Sequence, residues 1–199
     1  MKLLFVKTAL CAGLLVSTQL HANGTIVING LIIDGTCTLV GEINAITDQS
    51  TPTEITVELD QFVTTNTTTG FFGEKPFTLA FKNADNTANC DTTTISKLDS
   101  VSLTSNTPLN TTVTANNVLM NNDTAGKLLT TTRVDIGLFT DEDDEINLAN
   151  ATTQEKSTIV TTTPEKPTIS YKAKYYKGGS VLPEGQYVTA TANFILNYN

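Results

Sequence analysis

The last strand-like segment of this chain, Tyr187 to Tyr198, alternates in character without a break, and that alternation constrains the fold more than any other feature. Val188, Ala190, Ala192, Phe194, Leu196 and Tyr198 fall on one face, and Tyr187, Thr189, Thr191, Asn193, Ile195 and Asn197 on the other. A period of two belongs to the β-strand, whose side chains point alternately to opposite sides. A strand that runs almost to the final residue, Asn199, has no successor in sequence to pair with it. Something else must meet its free edge, because an unpaired apolar edge invites the addition of another strand.

Similar texture fills most of the chain. Short segments rich in Val, Ile, Thr, Phe and Tyr are separated by clusters of Asn, Asp, Gly, Thr and Pro: Thr25-Ile33, Thr36-Val40, Glu54-Phe62, Pro76-Phe81, Asp99-Thr104, Thr132-Phe139, Glu145-Leu148 and Thr168-Tyr176 precede the last one. Only Thr93-Leu98 and Ala115-Met120 offer even a weak turn of helix, and Asn106-Leu129 reads as a strand pair or a long surface loop. Nine short strands at this spacing predict an all-β antiparallel sandwich of Greek-key type in one domain. The threonine runs at Thr67-Thr69, Thr92-Thr94, Thr130-Thr132 and Thr161-Thr163 suit half-exposed strand ends, since a branched Cβ fits the pleat while the hydroxyl faces water. The Asn-x-Thr matches at Asn66, Asn110, Asn122 and Asn150 are chance in so Asn- and Thr-rich a chain.

The first residues read as a secretory leader. Lys2 and Lys7 give a basic start, Ala9 to Val16 an apolar centre, and Ser17 to Ala22 a polar exit ending on a small residue. Cleavage after Ala22 is expected, which makes 1-22 the signal peptide and 23-199 the single folded domain. The leader carries the sole histidine, His21, and one of the 3 cysteines, Cys11. Histidine is the usual general base and the commonest transition-metal ligand near neutral pH, so its loss argues against triad hydrolases and against zinc or copper enzymes. Neither a cofactor nor a metal is expected. Two of the 12 basic residues also leave, against 20 acidic ones. So acidic a surface repels nucleic acid, whose affinity comes mostly from Lys and Arg on phosphates. Cys37 and Cys90 remain in an exported chain, where oxidising conditions favour one disulfide; no Cys-x-x-Cys spacing points to a redox pair.

Two local constellations have residue types that could carry chemistry. The run Asp141 to Glu145 lies between two strand-like segments and most simply caps a hairpin. It lacks the central Gly and spaced Glu of the helix-loop-helix calcium pattern. No Trp or aromatic cluster surrounds it to hold a sugar between paired carboxylates. Gly178-Gly179 is a turn, without the helix and the Lys-Ser/Thr pair of a phosphate loop.

Taken in order, these segments resemble the pilin subunits of chaperone-usher fimbriae, particularly the major subunits of type 1-like fimbriae. Gly24 to Cys37 is similar to the family's opening strand, with Gly30 and Cys37 seven residues apart; Ile55-Leu59 is similar to the next, and Phe77-Phe81 leading to Cys90-Asp91 to the strand before the second cysteine. Val134-Phe139 and Ile169-Tyr176 match the later strands, and Tyr198 stands at the family's penultimate position with Phe194 four residues before it. Gly185 lies fourteen positions before Asn199, one more than the family's usual spacing, which predicts a one-residue insertion or a bulge early in the last strand.

The resemblance implies an incomplete immunoglobulin-like sandwich that lacks one strand and is completed by a donor strand from another chain. Its acceptor groove and chaperone-binding strand would be Val188, Ala190, Ala192, Phe194, Leu196, Tyr198 and Asn199. The donor would be Thr25-Ile33, with Ile26, Ile28, Gly30 and Ile32 on the inserted face, unless those residues form the first strand instead. Implied partners are a periplasmic chaperone, an outer-membrane usher and other pilin subunits, with a host receptor if the chain is a minor or tip adhesive subunit. The implied location is a cell-surface fimbrium reached through the periplasm, and the implied role is structural, in support of cell adhesion. A secreted β-sandwich hydrolase acting through Asp141-Glu145 is the enzyme-class alternative.

Overall fold

The computed structural model describes residues 21-30, 37-47, 54-63, 69-111, 118-122, 133-161, 166-179 and 186-199. Residues 1-20 of the expected leader, Ile32, Asn66, residues 115-117 and Gly185 lie outside the described residues. Twelve strands and one single-turn helix are described: β1 His21–Gly30, β2 Cys37–Ile43, β3 Ile46–Thr47, β4 Glu54–Val63, β5 Gly70–Asn83, α1 Thr92–Ile95, β6 Leu98–Ser105, β7 Leu109–Asn110, β8 Val118–Leu119, β9 Val134–Thr140, β10 Ile159–Val160, β11 Thr168–Lys177 and β12 Tyr187–Tyr198.

They form two facing sheets. One runs β3-β4-β1-β12-β6; the other runs β2-β5-β11-β9-β8-β7, with β10 added beside β11. Alternation decides which residues meet between them. Ile26, Ile28, Ile55, Val57, Leu103, Val188, Ala190, Ala192 and Phe194 come from the first sheet; Leu39, Phe77, Leu79, Phe81, Ile136, Leu138, Ile169, Tyr171, Ala173 and Tyr175 come from the second; all are buried. Burial of each large side chain contributes roughly 1.5–3 kcal/mol relative to exposure. Cys37 and Cys90 are joined by a disulfide, with their Cα atoms 5.5 Å apart, which ties the start of β2 to the turn before α1.

Several elements depart from the sequence expectation for local reasons. The strand expected at Pro76-Phe81 begins at Gly70, because a bulge opposite Ala173 to Tyr175 absorbs an extra residue, and Gly73 supplies the left-handed backbone there with φ 65°. Glu145-Leu148 was expected to be a strand and is not. Glu145 makes a single bridge to Phe139 and the Ile146 N–H donates to the Leu138 carbonyl. Turns built on the Asn147 and Asn150 side chains then lead the chain away, although Ile146 and Leu148 are buried. Val118 and Leu119, within the weak helix candidate Ala115-Met120, are instead strand β8 and pair with β7 and β9. Thr93-Leu98 is helical over Thr92–Ile95 alone, capped by the Asp91 carboxylate, which accepts from the Thr94 N–H at 2.9 Å. The bulge expected early in β12 is absent over Tyr187 to Phe194; the one irregularity of β12 falls between Asn197 and Tyr198, against β6.

Candidate functional site

The C-terminal strand β12 contributes Val188, Ala190, Ala192 and Phe194 to the core, each buried, with Leu196 and Tyr198 partly buried beyond them. One side of β12 is satisfied along its whole length by the chain itself. From Ala192 to Tyr198 it pairs with β6. Earlier, where β6 does not reach, the Asn106 N–H donates to the Thr191 carbonyl at 3.1 Å and the Asn122 N–H to the Thr189 carbonyl at 2.7 Å. Asn121 completes this side: its Nδ2 donates to the Tyr187 carbonyl at 2.9 Å and its Oδ1 accepts from the Thr189 N–H at 3.1 Å.

On the other side lies β1. Where the sequence led us to expect an edge left open for a strand from another chain, this place is filled by the chain's own N-terminal strand. β1 runs parallel to β12 from Asn23 opposite Tyr187 to Gly30 opposite Phe194, and antiparallel to β4 on its far side. The physical cause is the apolar face of β12, which must be covered by a strand of matching alternation. Ile26 and Ile28 supply that match and are both fully buried. Gly24 sits beneath the ring of Tyr175: a Cβ at this position would lie 2.5 Å from the ring and from its hydroxyl oxygen, so any side chain here collides. The Tyr175 hydroxyl donates to the Asp60 carbonyl at 3.2 Å, which pins the ring over β1.

At the far end of the groove the C-terminus is tied to the start of β2 and to the segment between α1 and β6. The Cys37 N–H donates to the Tyr198 hydroxyl at 3.0 Å, and the Asn199 N–H donates to the Lys97 carbonyl at 2.8 Å. At the near end, Gln186 Oε1 accepts from the Val134 N–H at 3.1 Å, which docks the start of β12 on the second sheet. The outer edge of the first sheet is closed by Gln154, whose Oε1 accepts from the Leu103 N–H at 2.7 Å and whose Nε2 donates to the Leu103 carbonyl at 2.9 Å.

Asn121 is itself held by a buried ion pair. Arg133 Nε lies 2.6 Å from Asp135 Oδ1, both side chains at most 4% exposed. The same carboxylate accepts from Asn110 Nδ2 at 2.7 Å and from the Asn121 N–H at 3.0 Å. Sequence reasoning missed Arg133, Asp135, Asn121 and Gln154. A signal existed for the pair: Arg133 is the only arginine in the sequence and stands two residues from an aspartate within a strand.

The acidic run does not gather carboxylates. Asp143 turns to Lys174 and Lys172, and the hydrogen bond from Lys174 holds its carboxyl below the usual aspartate value. Lys174 also lies 4.4 Å from the centre of the Phe139 ring. Among the described residues no group of three His, Cys, Asp or Glu side chains is placed to hold a metal ion. None of the described helices is long and apolar enough to cross a membrane.

The fimbrial protein family matches residues 26–199. The chain belongs to that family. As a fimbrial subunit it is a structural protein of a cell-surface fimbrium and not an enzyme. The subunit is also similar to the crystal structure of the Burkholderia pseudomallei antigen and type I fimbria protein, with 20% sequence identity, a TM-score of 0.42, and coverage of 89% of this chain and 99% of that one. No curated protein sequence matches it.

Proposed function

We propose that this fimbrial subunit builds the shaft of its fimbria by strand exchange, each copy giving the Thr25-Ile33 segment to the groove beside β12 of the next. The observation that carries this reading is the state of that groove. Its apolar face needs a strand from outside the β4 and β12 pair, and among the described residues β1 supplies it through ladders to β12 and β4 alone. Ile26, Ile28, Gly30 and Ile32 are the inserted face, and Val188, Ala190, Ala192, Phe194, Leu196, Tyr198 and Asn199 the receiving one. Main-chain hydrogen bonds of such an added strand give affinity, and its alternate side chains give specificity.

A leader over 1-22 exports the chain to the periplasm, where a chaperone strand covers the groove until an outer-membrane usher passes the subunit to its neighbour. Cleavage after Ala22 keeps Asn23 to Gly30, all the residues that pair with β12. The fibre supports cell adhesion, and 23-199 is the one folded domain.

The test is size-exclusion chromatography of the purified mature chain with and without an excess of a labelled synthetic peptide of residues 23-33. Formation of peptide-bound monomers and loss of polymers are expected. A peptide that neither binds nor changes the polymer fraction would falsify the donor assignment.

A further inference from the structure

The two sulfurs of the disulfide differ in what lies beside them. Cys37 is 1% exposed and Cys90 4%, so exposure alone does not separate them; a cleft does. This cleft, of about 560 Å³, has Cys90 in its lining and Cys37 outside it. Such a volume falls within the range of about 300–1,000 Å³ that holds small ligands. α1 and the segment leading into β6 give one wall, with Ile95, Ser96 and Asp99, and the chain around β10 gives the other, with Thr158 and Ile159. Cys37 lies apart, in the ladder opposite Asn83 and with its N–H on the Tyr198 hydroxyl.

The lining decides what the cleft can take. A disulfide sulfur is an electrophile toward thiolates, and exchange proceeds by attack on one sulfur while the other leaves. A thiolate entering here meets Cys90, with Cys37 as its leaving group. Among the described residues Asp99 is the one charged side chain of the lining. Its partners, Lys156 Nζ at 3.1 Å and the Ser100 hydroxyl at 3.1 Å, both sit on Oδ2, which leaves Oδ1 for a further donor. An ammonium suits that oxygen and a carboxylate is repelled by it. Ile95 and Ile159 offer apolar surface to a short methylene stem between a thiol and an amine.

We propose that Cys90 is a site of reversible S-thiolation, at which a small aminothiol enters the cleft and exchanges onto Cys90. The thiolate attacks Cys90 Sγ and a new disulfide forms between them. The bond to Cys37 breaks, its electron pair leaves on Cys37 Sγ, and that sulfur takes a proton from water. The aminothiol is the only co-reactant. Return attack by Cys37 expels the aminothiol and restores the tie between β2 and the turn before α1. Thiol exchange at Cys90 is independent of strand exchange between copies.

The purified mature chain, its fold checked by a melting curve, is treated with cysteamine at mildly alkaline pH and quenched in acid at early times. Alkylation with N-ethylmaleimide, digestion and mass spectrometry then locate both groups. Cysteamine on Cys90 with the alkyl group on Cys37 is expected in about tenfold or greater excess over the reverse, and the urea-unfolded chain is expected to lose that preference. Equal labelling of the folded chain, an excess on Cys37, or adducts from the unfolded chain alone overturns the assignment. Ser96→Trp and Thr158→Trp fill the cleft from opposite walls at two exposed positions. Each is expected to slow adduct formation about tenfold in the folded chain and to leave the unfolded chain unchanged. Undiminished rates in both folded variants overturn the cleft as the route. At low salt, where charge is least screened, cysteamine is expected to outpace mercaptoacetate about threefold or more, each rate taken relative to the unfolded chain. Asp99→Asn is expected to remove that preference, and equal rates in the wild type overturn the choice of an aminothiol.

Discussion

The side-chain amide of Asn121 holds Thr189 and Tyr187 as a neighbouring strand would, accepting from one N–H at 3.1 Å and donating to the next outward carbonyl at 2.9 Å. It stands where β6 stops short, so the edge of β12 facing away from β1 has no gap. Replacing Asn121 by Ala leaves both main-chain groups short of a partner, at a cost of about 1–3 kcal/mol. Urea unfolding of the Asn121→Ala chain is expected to show that loss, together with faster hydrogen exchange at the Thr189 amide.

Arg133→Met strands the Asp135 carboxylate in a site with 1% exposure of its side chain. Removal of one member of a buried pair costs about 3–5 kcal/mol, because the remaining charge is left without its counterion. The pair is shielded from solvent, so salt screens it little. The difference in stability between the wild type and Arg133→Met is expected to be nearly the same in low and high sodium chloride; a difference that vanishes in salt would place the pair at the surface.

Alkaline pH should expose the two buried tyrosines. Burial, then the Asp141 charge, pushes the Tyr171 hydroxyl well above the ordinary value of 10.0, and burial, then the Asp60 charge, does the same for Tyr175. A group whose folded value is raised gives its full stabilisation below its unfolded value and loses it as pH climbs beyond that value. Stability is therefore expected to fall from about pH 10 upward, by as much as about 1.4 kcal/mol per pH unit for each tyrosine. Among the described residues the Tyr171 hydroxyl has no hydrogen-bond partner, so Tyr171→Phe should be neutral at pH 7 and show a shallower fall above pH 10.

Opening the disulfide removes the constraint on the 53-residue separation between Cys37 and Cys90. Chain entropy puts the loss at about 4 kcal/mol for a closed loop of this size. The double variant Cys37→Ala/Cys90→Ala is expected to lose that amount in urea unfolding, with a larger m-value because the unfolded chain without the cross-link exposes more surface.

What could be read in the sequence follows one rule. Wherever one face of a strand enters the core, alternation reveals it, as in Glu54 to Leu59, Ile169 to Tyr175 and Val188 to Phe194. The disulfide partners were legible for a different reason, being the two cysteines outside the expected leader. The neighbour of β12 was not legible, because alternation fixes a face and says nothing about direction or about which chain supplies the strand. Asn121 and Gln154 were hidden as well: an amide that completes a ladder looks the same in sequence as an amide in a polar loop. At Ile146 and Leu148 the pattern was present and the strand was not, since burial of two apolar side chains does not require a ladder when Asn147 and Asn150 turn the chain.

Gln154 bears on the shape of any assembly. Its amide occupies the middle of β6, at Leu103, so a second molecule finds no free main-chain pair there to lengthen the sheet sideways. Under the proposed strand exchange, a unit with one plug and one socket joins others head to tail, and the product is an unbranched thread. Removing that one side chain would give the unit a third point of attachment, and threads would thicken into mats.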